Sequence, residues 1–172
     1  MFQKIIVIGS PGAGKSTFSR RLRDETGLPL YHLDLIWHKR DKTNIAAEEF
    51  DKKLNDILAE DKWIIDGNYQ RTLEIRLKHC DTVFLLDYPL EVCLDGVSSR
   101  IGKKREDMPW VETEFDDEFR EWITDFPLKK LPAIYEMIEK HGDKQVYIFK
   151  SRQEADEYLE KLKWTDFSLR KT

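Results

Sequence analysis

The chain has 172 residues, 40% apolar and 36% charged, and a formal net charge of −4. That is enough chain for one domain with a real core, and it excludes a disordered segment. The acidic balance removes the electrostatic case for wrapping DNA or coating an anionic membrane, and no apolar run approaches a spanning length.

Ile5 to Ile8 form an apolar, mostly β-branched run that predicts a buried strand. Gly9-Ser10-Pro11-Gly12-Ala13-Gly14-Lys15-Ser16 follows and fits G-x-x-x-x-G-K-[ST] without a mismatch. Phe18 to Arg23 continue at helical spacing, so the motif lies between strand and helix. Here backbone N–H groups and the helix N-terminus can cradle a phosphate. Gly12 and Gly14 put no Cβ in the way. Lys15 can reach the β- and γ-phosphates, and the Ser16 hydroxyl can ligate Mg²⁺. Gly9, Pro11, Gly12, Ala13, Gly14, Lys15, Ser16 and Thr17 are the expected nucleotide-binding residues. The first strand starts almost at once and leads into this loop, which is not a secretion-signal layout. Cys80 and Cys93 have no metal-type spacing and sit in apolar surroundings, which predicts buried free thiols and a cytoplasmic setting.

Thr26-Gly27 ends the first helix. Leu28 to Leu35 predict a second strand ending near Asp34, followed by a polar, aromatic stretch over 36–44. Ile45 to Glu60 read as an amphipathic helix, Lys62 to Ile65 as a third strand, and Arg71 to Lys78 as a short helix. Asp81 to Asp87 predict a fourth strand, and Pro89 opens a helix to about Arg100. Residues 101–116 turn from basic to acidic. A long helical stretch follows to Lys140, with breaks expected at Pro127 or Pro132. Gln145 to Phe149 are a fifth strand, and Glu154 to Leu162 a last helix.

Strands alternating with helices predict a three-layer α/β fold with a parallel sheet, whose ligands sit at the carboxyl ends of the strands. That rule selects Asp34, Asp66 to Arg71, Asp87 and Lys150 to Arg152 beside the loop. Asp34 could orient an acceptor hydroxyl or could cap a turn. Asp66 could hold Mg²⁺ through water or make an Asx turn before Gly67. Arg71 could grip an anionic group or be a solvated arginine. Arg100-Ile101-Gly102-Lys103-Lys104-Arg105 suits a lid that brings cations onto a transferring phosphoryl group. Glu112, Glu114, Asp116, Asp117 and Glu118 could neutralise those cations when the site is empty. Trp37, His38, Lys39 and Arg40 could shape an acceptor pocket or pack on the next helix. His32, His79 and His141 show no partner. Phe115, Phe119, Trp122 and Phe126, at helical spacing, read as core or lid packing.

The order of these features resembles the adenylate-kinase-like and shikimate-kinase-like P-loop kinases. Trp63-Ile64-Ile65-Asp66-Gly67-Asn68-Tyr69-Gln70-Arg71-Thr72 is similar to the adenylate kinase Asp-Gly-Phe-Pro-Arg-Thr stretch with one extra residue. The resemblance implies Arg71 on an acceptor phosphate and Asp66 supporting Mg²⁺. It places Arg100 and Arg105 on adenine and phosphate, in an order left open, and Lys150 and Arg152 near the adenine. It also implies a five-stranded sheet of order 2-3-1-4-5 within one domain over 1–172, an acceptor-binding segment over 35–60 and a lid over 100–116. Tyr31-His32-Leu33-Asp34, Trp63-Ile64-Ile65-Asp66-Gly67-Asn68-Tyr69, Phe84-Leu85-Leu86-Asp87-Tyr88-Pro89 and Phe149-Lys150-Ser151-Arg152 look like the bacterial "DNA topology modulation protein" group, described as adenylate-kinase-related. The acceptor region 35–45 lacks the nucleotide-monophosphate pattern.

The expected function is therefore an ATP- and Mg²⁺-dependent phosphotransferase with an unidentified small-molecule or nucleotide acceptor. Lys15, Asp34, Arg100 and Arg105 would act in catalysis, Asp34 and Arg71 would hold the acceptor, and Ser16 and Asp66 (through water) the metal. A monomer without direct nucleic-acid contact is expected. The alternatives are an ATP-binding regulator linked to DNA topology, and a plain NTPase.

Overall fold

A computed structural model describes residues 2–169. Five parallel strands form one sheet: β1 (Lys4–Gly9), β2 (Leu30–His32), β3 (Trp63–Asp66), β4 (Thr82–Leu86) and β5 (Gln145–Phe149), in the order β2-β3-β1-β4-β5. This is the expected order, and it puts β1, with its Gly-rich loop, at the centre.

The strand alternation builds two cores. Ile5 and Val7 point to one face and Ile6 and Ile8 to the other, all with no exposed surface. Each contributes roughly 1.5–3 kcal/mol by leaving water. On the first face lie α1 (Lys15–Thr26) and α8 (Arg152–Leu169), through Phe18, Leu22, Ala155 and Leu159, with α5 (Leu90–Ser98) through Cys93 and Val97. The second face is covered by α3 (Ala47–Leu58), α4 (Leu73–His79) and α7 (Leu131–Lys140), through Phe50, Leu54, Leu77 and Ile134. Helix α6 (Asp117–Lys129) serves both, giving Ile123 to one core and Phe126 to the other. Cys80 and Cys93 are buried free thiols. Among the described residues no helix is long and apolar enough to cross a membrane.

Three boundaries differ from expectation, one of them the last helix, which runs over Arg152–Leu169 instead of ending at Leu162. The second strand is only three residues long, and Leu33–Trp37 coil into a short helix, α2. Leu33 is fully buried there, and Asp34 lies in the first turn, where a carboxylate suits the helix dipole. The long helical stretch breaks at Lys130. Pro127 lies in the last turn of α6, where its missing N–H removes a helical bond and helps to end the helix, and Pro132 sits in the first turn of α7, where a missing N–H costs little.

Candidate active site

The carboxyl ends of the strands open into a cleft of about 1040 Å³. The Gly-rich loop forms its floor. Gly14 has φ +88° and free space around a would-be Cβ, so it is the backbone turn itself that favours glycine. Gly12 is different: a Cβ there would lie 2.1 Å from the Cys93 carbonyl oxygen. Gly96 answers it, since a Cβ on Gly96 would meet the Gly12 oxygen at 2.1 Å. Helix α5 thus braces the loop through two facing glycines. Gly12 is needed for this packing.

The turn after β3 braces the loop from the other side. Asn68 accepts from Gly9 N–H at 3.0 Å and donates to the Gly9 carbonyl at 2.8 Å. That turn is held by Arg76, fully buried, whose guanidinium donates to the carbonyls of Gly67 (2.8 Å), Asn68 and Tyr69 (3.1 Å). Burial lowers the Arg76 pKa to about 10. Asn68 lies in the Asp66-to-Arg71 turn that the strand-end rule selects, whereas Arg76 did not stand out. Arg76 had a signal, a cation on the apolar Leu73–Leu77 face of its helix.

Lys15 Nζ donates to the carbonyls of Gly9 (3.1 Å) and Ser10 (3.0 Å). Loss of solvent lowers its pKa, against the pull of Asp66 and Asp34. Ser16 Oγ donates to Asp66 Oδ2 at 2.7 Å, and His32 Nδ1 lies 2.7 Å from the same oxygen. Asp66 Oδ1 is buried with no partner among the described residues. A hydroxyl beside a carboxylate with an unused oxygen is the donor set that Mg²⁺ and its waters require, so these residues fit the ion that the fold implies. His32 has a partner after all. The signal was its place at the end of β2, in register with Asp66.

Asp34 faces the cleft from α2. Tyr69 Oη donates to its Oδ1 at 2.7 Å, and His38 Nε2 lies at 4.0 Å. Although its side chain is 42% exposed, loss of solvent raises the Asp34 pKa, offset by the Tyr69 hydrogen bond. His38 also lines the cleft, edge-on to Trp110 at 5.0 Å. Trp37 instead packs on Phe50 at 5.5 Å, away from the cleft.

Arg100 and Arg105 both line the cleft. Glu112 bridges them, at 2.9 Å from Arg100 Nε and 2.7 Å from Arg105 Nη1. Arg105 also pairs with Asp107, whose side chain is 4% exposed and which lies 3.6 Å from Arg20. Of the acidic residues expected to neutralise the cations, Glu112 does so. Asp116 caps α6, accepting from Phe119 N–H at 2.7 Å, and Asp117 and Glu118 lie in that helix's first turn. No ion pair joins Glu114 to those arginines among the described residues, although Glu114 lines the cleft. Phe119, Trp122 and Phe126 form an aromatic wall, with Phe119 and Trp122 stacked at 5.7 Å.

Several expected site residues lie elsewhere. Arg71 turns out to α3 and pairs bidentately with Asp51, at 2.7 and 2.9 Å, and does not line the cleft. The extra residue before it ends in Tyr69 at φ +31°, and the turn Gln70–Thr72 then points Arg71 outward. Lys150 pairs with Asp87 and with Tyr135 Oη (3.0 Å), which fixes Asp87 as a tie between β4, β5 and α7. Arg152 does line the cleft. Gly9 and Ala13 do not, Gly9 being clamped by Asn68 and Ala13 buried in the core.

No protein-family model matches the chain. It is 33% identical over 103 residues to an adenylate kinase of Thermotoga maritima, covering 56% of this chain and 46% of that one. An adenylate kinase of Thermosipho melanesiensis is 30% identical over 107 residues, with 58% and 49% covered. The chain thus matches less than half the length of these curated relatives. Among solved structures, shikimate kinase from Acinetobacter baumannii in complex with shikimate superposes with a TM-score of 0.63 at 17% identity, covering 98% of this chain and 94% of that one. A sugar kinase from Janibacter sp. gives 0.54 at 16%, with 96% and 95% covered. At such identities the likeness is one of fold, and the fold is that of the P-loop kinases.

Proposed function

We propose that the chain is an ATP-dependent phosphotransferase that carries the γ-phosphoryl group to a hydroxyl of a small-molecule acceptor. One observation carries this reading: Asp34 and the Gly-rich loop face the same cleft, near enough for the charges of Asp34 and Lys15 to act on each other. A plain phosphate-binding loop has no use for a second carboxylate there.

In this reading Gly12 to Thr17 hold the triphosphate, Lys15 leaves its loop carbonyls for the β- and γ-phosphates, and Arg152 lies toward the base. Ser16 directly and Asp66 through water would hold Mg²⁺, which when bound supplies charge neutralisation. Arg100 and Arg105 exchange Glu112 for the phosphoryl oxygens. The acceptor hydroxyl lies against Asp34. Its oxygen forms the new P–O bond, its proton passes to the carboxylate, and ADP departs with the electron pair of the broken bond. Oδ1 of Asp34 is engaged by Tyr69, which leaves Oδ2 for the proton. A hydroxyl needs such a base, whereas a phosphate acceptor is already ionised and is repelled by a carboxylate. Arg71, tied to Asp51, is given no part.

The resemblance to the DNA topology modulation group rests on the sequence stretches alone. The net charge of −4 gives a DNA-binding regulator no electrostatic support. The test is product detection by mass after incubation with Mg·ATP and a panel of alcohols, sugars, nucleosides and nucleoside monophosphates. A phosphorylated hydroxyl compound, lost in Lys15→Ala and Asp34→Asn, is expected. ATP turnover without an acceptor product, equal in Lys15→Ala, would refute the reading.

A further inference from the structure

We infer that His32 is a positioning residue of the nucleotide site: it fixes the Asp66 carboxylate so that Oδ1 stays available to the hydrated metal ion. The inference rests on the phosphotransferase reading and adds to it a residue outside the P-loop motif. His32 ends β2 directly across from Asp66 in the parallel register. The two side chains are 8% and 4% exposed, so the 2.7 Å contact between them is shielded from water. A carboxylate can only accept, so Nδ1 carries the proton and donates.

The geometry is asymmetric. Ser16 from α1 and His32 from β2 both donate to Oδ2, while Oδ1 is buried without a donor. A buried carboxylate oxygen without a donor is costly. The remedy here is a ligand that brings its own protons, such as water bound to a cation. Ser16 alone leaves the carboxylate free to swing about its Cβ–Cγ bond. A second donor on a different element removes that freedom, as outer partners of metal sites do. A histidine that merely filled the core would not need to share its acceptor with the P-loop serine.

Calorimetric titration of the full chain with ATP, once with Mg²⁺ and once with a chelator, tests this. Wild type is expected to bind Mg·ATP more tightly than metal-free ATP. His32→Leu should lose about tenfold of that metal enhancement, with metal-free ATP affinity within about twofold of wild type. His32→Asn, whose amide nitrogen occupies the place of Nδ1, should regain most of it. His32→Gln, with its donor one bond further out, should not. If His32→Leu fails to fold, the comparison of Asn with Gln carries the test. Equal loss in both nucleotide states, unchanged enhancement in His32→Leu, or equal behaviour of Asn and Gln would overturn the role of His32. Wild type that binds ATP without any metal enhancement would overturn it too, while leaving phosphate binding intact. Wild type that binds no ATP would overturn the phosphotransferase reading itself.

Discussion

The two walls of the cleft are held in opposite ways. At the Gly-rich loop the outside restraints come from the elements packed around it: Asn68 on Gly9, Gly96 against Gly12, and Asp66 on Ser16. Over 100–116 there is no helix or strand, and the charged side chains are restrained chiefly by one another, Arg100 and Arg105 by Glu112 and Asp107. The first wall is formed before any ligand arrives. The second holds Arg100 and Arg105 in internal pairs that phosphate oxygens can replace.

Asp34 offers the sharpest way to break this contrast, because it belongs to neither wall. As the base, it should cost on the order of 10²–10⁴-fold in turnover when changed to Asn, with ATP affinity unchanged. A loss of ATP affinity instead would make Asp34 part of the donor site. Its raised pKa has a second consequence. Between the ordinary value of 3.8 and the raised one, the folded chain keeps a proton that the unfolded chain has released. Stability therefore falls as pH rises through that window. Asp34→Asn should abolish this fall, read as melting temperature against pH, and wild-type turnover should drop as pH falls through the same window.

Gly96→Ala tests the rigid wall. A methyl 2.1 Å from the Gly12 oxygen cannot be accommodated without moving α5 or the loop. A loss of about 1–3 kcal/mol in stability is expected from denaturant titration, together with weaker ATP binding. If stability alone changed, the two glycines would be packing partners with no hold on the loop.

Glu112→Gln tests the other wall, and a smaller gain is expected. With the shared carboxylate gone, the two arginines no longer have to leave a partner for phosphate. ATP binding should tighten by about 1 kcal/mol, roughly fivefold. Weaker binding would mean that Glu112 aims the arginines. Asp107 behaves differently from Asp34: burial works to raise its pKa, but the hydrogen bond and charge of Arg105 prevail and hold it at about 2. Here the unfolded chain binds the extra proton, so the contribution of Asp107 is complete above 3.8 and is lost as pH falls toward about 2. Asp107→Asn should make the acid limb of the melting curve shallower.

The strands and the nucleotide loop were legible because they depend on local signals: apolar β-branched runs, a spaced glycine motif and helix stops; the order of the sheet came from the family resemblance. What could not be read was direction. Arg71 and Arg76 lie five residues apart in one stretch, and the sequence singles out only Arg71. Arg71 carries the family likeness but points outward, while Arg76 is buried and holds the turn. His32 gained its partner only once β2 and β3 were paired in register. The second strand was drawn too long because Leu33 and Leu35 continue its apolar pattern, although a helical turn buries Leu33 and leaves Leu35 exposed.

Arg71 is where the smallest effect is expected, and where the likeness to adenylate kinases is most exposed to test. Its side chain is 56% exposed and meets an Asp51 side chain that is 42% exposed, so the pair is worth no more than about 0–1 kcal/mol. Arg71→Ala should leave melting temperature and ATP affinity nearly unchanged and alter the KM for the acceptor less than about twofold. The bidentate pair holds Arg71 out of the cleft, and Asp51→Ala would release it. If Arg71→Ala raised the acceptor KM strongly while Asp51→Ala lowered it, the arginine would swing into the cleft during turnover. A phosphate or carboxylate on the acceptor would then have to be its target. An unchanged KM in both variants leaves the acceptor held by the residues that line the cleft, with Asp34 and Tyr69 at the reacting hydroxyl.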